Sequence, residues 1–308
     1  MRIGTRRSAL ALAQARLVAD RLEIGQLGEG EIVPVLTSGD RRRRPGRGTR
    51  GEDKSRWVAE LEDALLSGEI DLAVHSAKDV PGELAEGLAL MGAPARAAAE
   101  DVLCGADGLD GLACGARVGT SSVRRAAQLR AAREDLVVVA MQGNVDTRMG
   151  KLERGEFDAI VLAHAGLQRL GVEEAVGAVL DPERFVPAPG QGTLALQGRA
   201  DDPRVADAVR EITDAQTFAC LLAERALARD LKASCHTPLG AWAVPAGGGL
   251  RLRAWVGVPD GAAWISDELL GGFYDPEALG RDLAARLNLA GAGEMLQRAE
   301  EMASVGNA

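Results

Sequence analysis

The chain has 308 residues, enough for two or three domains, and 46% hydrophobic with 26% charged residues describes a foldable globular chain rather than a disordered one. Aromatic residues make up only 3%, which argues against a stacking platform for single-stranded nucleic acid. The net charge of −9 is uneven: residues 1–50 hold eleven Arg against five acidic residues, a local +6 that leaves −15 elsewhere, and a basic patch on an acidic protein suits a small anionic ligand rather than bulk nucleic-acid binding.

Arg2–Thr5 reads as a short strand. Ser8 then caps a helix whose apolar face is Leu10, Ala13, Leu17 and Val18, running to about Glu23. The basic-then-apolar N-terminus mimics a signal peptide, but Gln14, Arg16, Asp20 and Arg21 interrupt it. No later run reaches membrane-span length, so a cytoplasmic protein without membrane contact is expected. Thr5, Arg6 and Ser8 lie at a strand-to-helix turn, where unpaired backbone N–H groups and the helix dipole favour an anion. Ile32–Thr37 is the next strand. Ser38–Arg56 has six Arg between residues 41 and 50, Pro45 and several Gly, and no periodicity; it reads as a long loop, either a lid or a plain solvated segment. Val58, Leu61 and Leu65 mark a helix, and Ile70–Val74 a buried strand. That strand ends abruptly in His75, Ser76, Lys78 and Asp79 before Pro81 stops it. Ionisable side chains at a strand's carboxyl end are how an open α/β sheet builds its site; a solvated Lys–Asp pair is the competing reading.

A second α/β unit starts near residue 95. Ala116–Gly119 is a strand, followed by Gly119–Arg125 (GTSSVRR) and a helix with Val123, Ala126 and Leu129 on one face. Hydroxyls and amides at a helix start, with Arg124 and Arg125 in its first turn, form an anion site; arginines there oppose the helix dipole unless an anion bridges the two. Leu136–Ala140 is a strand and Gly143–Arg148 (GNVDTR) opens another helix. Ala159–Ala163 is followed by AHAGLQRLG with Arg169. Phe185–Gly192 is a Pro/Gly hinge and Thr193–Leu196 a strand. Asp201–Arg229 is helical in two pieces broken near Asp214. Strands at about 239–244, 250–257 and 262–270 form a small antiparallel sheet, and Pro276–Leu289 and Ala292–Ala303 are amphipathic helices. The cysteines at 104, 114, 220 and 235 show no CxxC pair and no His at metal spacing, so thiols and no metal are expected. No internal sequence repeat is visible.

Seven stretches, GTRRSALALAQA, AVHSAKDVP, GTSSVRR, GNVDTR, AGLQRLG, PAPGQG and ERALARDLKASCHTPLG, fall in one order over nearly the whole chain. Together they closely resemble the hydroxymethylbilane synthase (porphobilinogen deaminase) family. The resemblance implies an α/β fold of three domains: 1–94 with 193–210, 95–192, and 211–308. The first two would resemble type II periplasmic binding proteins with a cleft between them, and the third would be a small antiparallel sheet with helices. It implies a monomeric transferase that condenses four porphobilinogen molecules, with loss of ammonia, on a dipyrromethane primer. That cofactor would be joined by a thioether to Cys235, and the product would pass to uroporphyrinogen-III synthase in transient contact. Asp79 matches the catalytic carboxylate. Arg6, Ser8, Lys78, Ser122, Arg124, Arg125, Arg148 and Arg169 match positions that bind substrate or cofactor carboxylates, for which the planar guanidinium is suited. The family has a mobile loop at 38–56, which here includes Lys54 and Arg56. The other three cysteines, in helical or strand contexts, read as packing thiols.

Some positions depart from the family pattern. Gln142 stands where arginine is general, Asp146 replaces a small residue, Ala59 replaces a lysine, and His236 stands where Gln is frequent. His75 belongs to the motif with either a structural or a catalytic role. The rival reading is a type II solute- or effector-binding module without chemistry, which shares the anion-binding helix starts but has no use for Cys235 or a third domain.

Overall fold

In a computed structural model, residues 1–25, 29–35, 55–234 and 237–305 are described, with backbone alone at 55–57 and 303–305. Cys235, His236 and Lys54 lie outside the described residues, as does the expected loop up to residue 54 and the side chain of Arg56. The described chain forms two compact units: Met1–Ala97 with Thr193–Ala219, and Ala98–Gly192 with Cys220–Ala308.

The first unit is built on a five-stranded sheet of order β2-β1-β3-β10-β4. Its strands are β1 (Arg2–Arg6), β2 (Glu31–Val35), β3 (Leu72–Ser76), β4 (Leu88–Gly92) and β10 (Leu194–Arg199). Strands β1, β2 and β3 are parallel, while β10 runs antiparallel between β3 and β4. Helix α1 (Ala9–Ile24) is capped by Ser8, whose hydroxyl accepts from the Ala11 N–H. It packs Ala15, Val18 and Leu22 on Leu72, Val74, Leu194 and Leu196, together with Val205 and Val209 of a later helix. Helix α2 (Ser55–Leu66) covers the opposite face with Leu61 and Leu65 against Ala73 and Leu88. The alternation of β3 therefore sends 72 and 74 to one face and 73 and 75 to the other.

The second unit repeats this plan. Its sheet has order β7-β6-β8-β5-β9, from β5 (Asp101–Cys104), β6 (Arg117–Gly119), β7 (Val137–Val139), β8 (Ala159–Ala163) and β9 (Ala178–Val179). Here β6 is parallel to β7 and β8, and β5 is antiparallel to β8 and β9. In both units the reversed strand is the first one after the chain crosses from the other unit. Helices α3 (Val123–Ala132), α4 (Val145–Glu153) and α5 (His164–Leu170) follow β6, β7 and β8, with α3 and α4 capped by Ser122 and Asn144. Helices α6 (Pro203–Ile212) and α7 (Ala215–Asp230) come after β10, and the unit boundary falls within α7.

A three-stranded antiparallel sheet, β11 (Leu239–Ala246), β12 (Gly249–Gly257) and β13 (Trp264–Gly271), joins the second unit with α8 (Pro276–Leu289) and α9 (Ala292–Val305). Trp255 packs on Ala127 and Val186, and Arg130 donates to the Pro259 carbonyl at 2.7 Å. Glu224 is fully buried and accepts from the Gly190 N–H at 2.6 Å and the Ala243 N–H at 2.7 Å, so one carboxylate fastens the 185–192 segment to β11. Among the described residues no helix is long and apolar enough to cross a membrane.

Several expectations are corrected. The buried face of α1 is Ala11, Gln14, Ala15, Val18 and Leu22 rather than Leu10, Ala13 and Leu17. Gln14 can be inside because it exchanges hydrogen bonds with Ser76, at 2.9 and 3.3 Å. The expected loop ends earlier, because α2 begins at Ser55. The buried face of α3 includes Arg124 and Arg125 in place of Val123 and Ala126. Cys104 and Cys220 are buried, but Cys114 sits exposed in a turn and is no packing thiol. Strands β4, β5 and β9 carried no clear sequence signal, being short and dependent on cross-chain pairing.

At the start of β3, Asp71 collects cations. Arg2 donates to it from Nη2 at 2.9 Å and from its backbone N–H at 2.8 Å, and Arg204 lies at 3.5 Å. Burial pushes the Asp71 carboxyl up, and the Arg2 hydrogen bonds with the nearby charges outweigh that, holding it at about 2. A depressed carboxyl stabilises the fold above its unfolded value and loses that contribution as pH falls through the folded value. Asp71→Asn is therefore expected to cost about 1–2 kcal/mol at pH 7, discounted for the exposure of Arg2, with most of the difference gone by about pH 2. Urea denaturation across that range checks the convergence of the two proteins.

Candidate functional site

The turn that bears Asp79 is a single 3-10 turn, Ala77–Asp79, at the carboxyl end of β3. It is held from several sides. The Ala77 N–H donates to the Thr193 carbonyl at 3.0 Å, and the Val80 N–H closes the turn on the Ala77 carbonyl at 3.2 Å. From the α1 face, Gln14 grips Ser76. From the α2 face, His75 Nε2 lies 2.9 Å from Gln197 Oε1. Lys78 and Asp79 are half-buried at the end of this braced strand, as is Arg6 at the end of neighbouring β1. Ser8 spends its hydroxyl as the α1 cap, with the α1 N-terminus beside it. These residues form one group within the first unit.

In the second unit, two helix starts meet at the carboxyl ends of β6 and β7. Ser122 caps α3 through the Arg125 N–H, and Asn144 caps α4 through the Thr147 N–H. Arg148 reaches back from α4: its Nε donates to the Gly143 carbonyl at 2.8 Å and its Nη2 to Ser121 Oγ at 3.0 Å. Among the described residues no carboxylate pairs with it. Burial first, and the neighbouring Arg125 charge second, push Arg148 down to about 10. A partly desolvated cation without an internal counter-charge is a site for an external anion. Gln142 is exposed beside it and its carbonyl accepts from Lys151 Nζ at 3.3 Å.

Arg124 and Arg125 are differently placed. Both are buried, at 4% and 7% exposure, on Asp101, which is fully buried. Arg124 Nη1 donates to Asp101 Oδ2 at 2.7 Å and to the Val186 carbonyl at 2.9 Å. Arg125 Nε donates to Asp101 Oδ1 at 2.9 Å, and its Nη1 to the Val161 carbonyl at 3.1 Å. Gln191 Nε2 adds a third donor to Asp101 at 2.8 Å. Burial pushes the Asp101 carboxyl up, but the two guanidinium groups hold it far below the usual range. The anion that lets two arginines open α3 is thus a carboxylate of the protein itself. Two cations share one carboxylate, and the surplus charge is the one Arg148 feels. Arg169 Nη2 donates to the Gly192 carbonyl at 2.6 Å.

Sequence reasoning missed Asp101, Gln191, Ser121, Gln197 and also Glu62, whose Oε1 accepts from Gln197 Nε2 at 2.8 Å. The one signal was Asp101 itself, a charge opening an apolar run, DVLC. The other four are polar residues whose partners lie far off in sequence.

The two kinds of arginine should separate in experiment. Asp101→Asn leaves buried guanidinium groups uncompensated and is expected to destabilise by about 3–5 kcal/mol. Arg148→Gln breaks no ion pair among the described residues and should shift stability by no more than about 0.5 kcal/mol. Chemical denaturation of both variants measures the contrast.

The sequence profile described as "Porphobilinogen deaminase, dipyromethane cofactor binding domain" matches residues 1–207, and "Porphobilinogen deaminase, C-terminal domain" matches 218–288. A porphobilinogen deaminase of Sorangium cellulosum is 46% identical over 92% of this chain and 97% of its own. One from Stenotrophomonas maltophilia is 46% identical over 96% of this chain and 98% of its own. Among solved structures, the methionine binding protein MetQ aligns with 71% of this chain and 89% of its own at 13% identity and a TM-score of 0.44, a likeness too loose to carry an argument. With two domain profiles in order and near-complete relatives at this identity, the chain belongs to the porphobilinogen deaminase family.

Proposed function

We propose that this chain is a hydroxymethylbilane synthase, a transferase that joins four porphobilinogen molecules head to tail, each with loss of ammonia, into the linear tetrapyrrole hydroxymethylbilane. Beyond family membership, the observation that carries the reading is Arg148, a half-buried guanidinium at two helix starts with no carboxylate partner among the described residues. Porphobilinogen bears an acetate and a propionate, so a growing chain needs cations the protein has not already neutralised.

The residues present fit the dipyrromethane named in the matched domain's description for the same reason, since that group carries the same carboxylates. We assign Arg148, Ser122 and the surplus charge of Arg124 and Arg125 to hold them, with Arg6, Ser8, Lys78 and Arg169 completing the set and Cys235 as the point of attachment. When bound, the cofactor supplies the nucleophilic pyrrole carbon at which growth begins. The chain's own chemical task falls to Asp79. Its carboxylate accepts from the substrate pyrrole N–H, stabilises the positive charge that develops as ammonia leaves, and exchanges the proton that departure requires. Holding the 77–79 turn rigid keeps that carboxylate aimed at the developing charge. The enzyme is taken to act as a cytoplasmic monomer, with its product handed to uroporphyrinogen-III synthase. A binder without chemistry would share the anion-binding helix starts, but it gives no role to the region matching the family's C-terminal domain.

Intact mass tests the function. Protein from a host able to make porphobilinogen should exceed the bare chain by two porphobilinogen units less two ammonia. Cys235→Ser should lack that increment and the Ehrlich's-reagent colour of linked pyrroles. A bare-chain mass for the parent protein would overturn the synthase reading. Asp79→Ala should lower turnover by about 10²–10³, and turnover within a few-fold of the parent would remove Asp79 from its role.

A further inference from the structure

On the α2 face of the first sheet, three polar side chains form a chain with a fixed direction. Glu62 Oε1 accepts from Gln197 Nε2 at 2.8 Å and from the Ala85 N–H at 3.3 Å. Gln197 Oε1 in turn faces His75 Nε2 at 2.9 Å. A carboxylate oxygen accepts, so the amide nitrogen of Gln197 is the atom that must face it. The amide oxygen is then turned to His75, and the imidazole nitrogen there must carry the proton. Gln197 and His75 are 0% and 6% exposed, so bulk solvent does not compete for this hydrogen bond. Strand pairing sets them side by side, with Ala195 opposite His75 and Gln197 opposite Ala73.

We infer that Gln197, oriented by Glu62, is a positioning residue of the active site: it fixes His75 as the Nε2–H tautomer and, with it, the end of β3 from which the Asp79 turn springs. This rests on the reading of Asp79 given above. His75 lies two residues before the turn. The same strand that carries Gln197 begins beside Thr193, whose carbonyl takes the Ala77 N–H. A shift of β10 against β3 would therefore move both attachments together. The Gln14–Ser76 pair braces β3 from the α1 face, and the Glu62 chain is its counterpart on the α2 face. Stability alone does not call for it, because a buried polar chain gains little over apolar side chains of the same shape. The arrangement also gives His75 a bounded role. Its Nε2 proton is committed to an amide oxygen, which is too weak a base to take it, so that nitrogen is no proton carrier for the substrate.

Nitrogen-15 NMR of histidine-labelled holoenzyme, with steady-state kinetics, tests the inference. The parent protein should show His75 as the Nε2–H tautomer, assigned by the signals lost in His75→Phe. Glu62→Met, at the half-buried end of the chain, removes the acceptor that sets the direction and keeps the bulk. It should give mixed tautomers and a kcat about tenfold lower, with KM within about twofold. Gln197→Leu, which keeps the bulk, should do the same. The exchange Glu62→Gln with Gln197→Glu again places an acceptor at His75 and should restore the tautomer and most of kcat. An Nδ1–H tautomer in the parent protein overturns the inference. So does a Glu62→Met enzyme whose tautomers mix while kcat stays within about twofold, an outcome that leaves the Asp79 reading intact. Should Gln197→Leu fail to fold, Glu62→Met and the exchange decide alone.

Discussion

Strand β10 lies antiparallel between β3 and β4, and the arrangement around Asp79 depends on it. It supplies the Leu194 and Leu196 side chains that complete the α1 core and the Gln197 amide that meets His75, and Thr193 just before it supplies the carbonyl that receives the turn's first N–H. Without it β3 would be an edge strand whose last residues had no partner on one side, and a three-residue turn has too few internal hydrogen bonds to hold its own shape. The chain must pass through Ala98–Gly192 of the second unit before β10 can form, so the first unit's sheet closes only across that 95-residue insertion. The second unit has the same dependence on β5, whose first residue is Asp101.

Charge is handled in two ways in that second unit. Arg124 and Arg125 are taken out of water and matched by Asp101, Gln191 and backbone carbonyls. Such a cluster tolerates burial only when nearly every donor has a partner. Arg148 is left at the rim with a hydroxyl and a carbonyl and, among the described residues, no acid. The division makes sense for a protein that must bind many carboxylates of a changing chain. In the function proposed above, fixed cations deep in the sheet raise the potential, and a less committed one is assigned to meet the ligand, whose charge would complete the balance. The match to the cofactor-binding domain of the family is consistent with that division.

Much of this was legible beforehand. The cap at Ser8, the helices opened by GTSSVRR and GNVDTR, the break near Asp214, the three strands of the small sheet and the helices after them all appear near their expected places. The motifs named the family before any geometry was known. The errors concern facing rather than existence. In α1 the buried side passes through Gln14, and in α3 through two arginines, because apolar periodicity treats a polar residue as an outward one. The likeness of the two units came only through the family resemblance, since the units share a topology and no run of residues.

What the sequence determined by itself is local. A capping hydroxyl meets an N–H three residues away, a Pro or Gly stops an element where it stands, and alternation over eight residues is enough to define β11 to β13. What the tertiary structure decided is which polar groups could go inside. That depends on partners brought from 23 residues away for Arg124 and Asp101, 62 for Gln14 and Ser76, 90 for Gln191 and Asp101, and 135 for Gln197 and Glu62. A buried charge or amide is stable only if its partner is present, and the identity of that partner is a property of the folded sheet, not of the residues beside it in the chain.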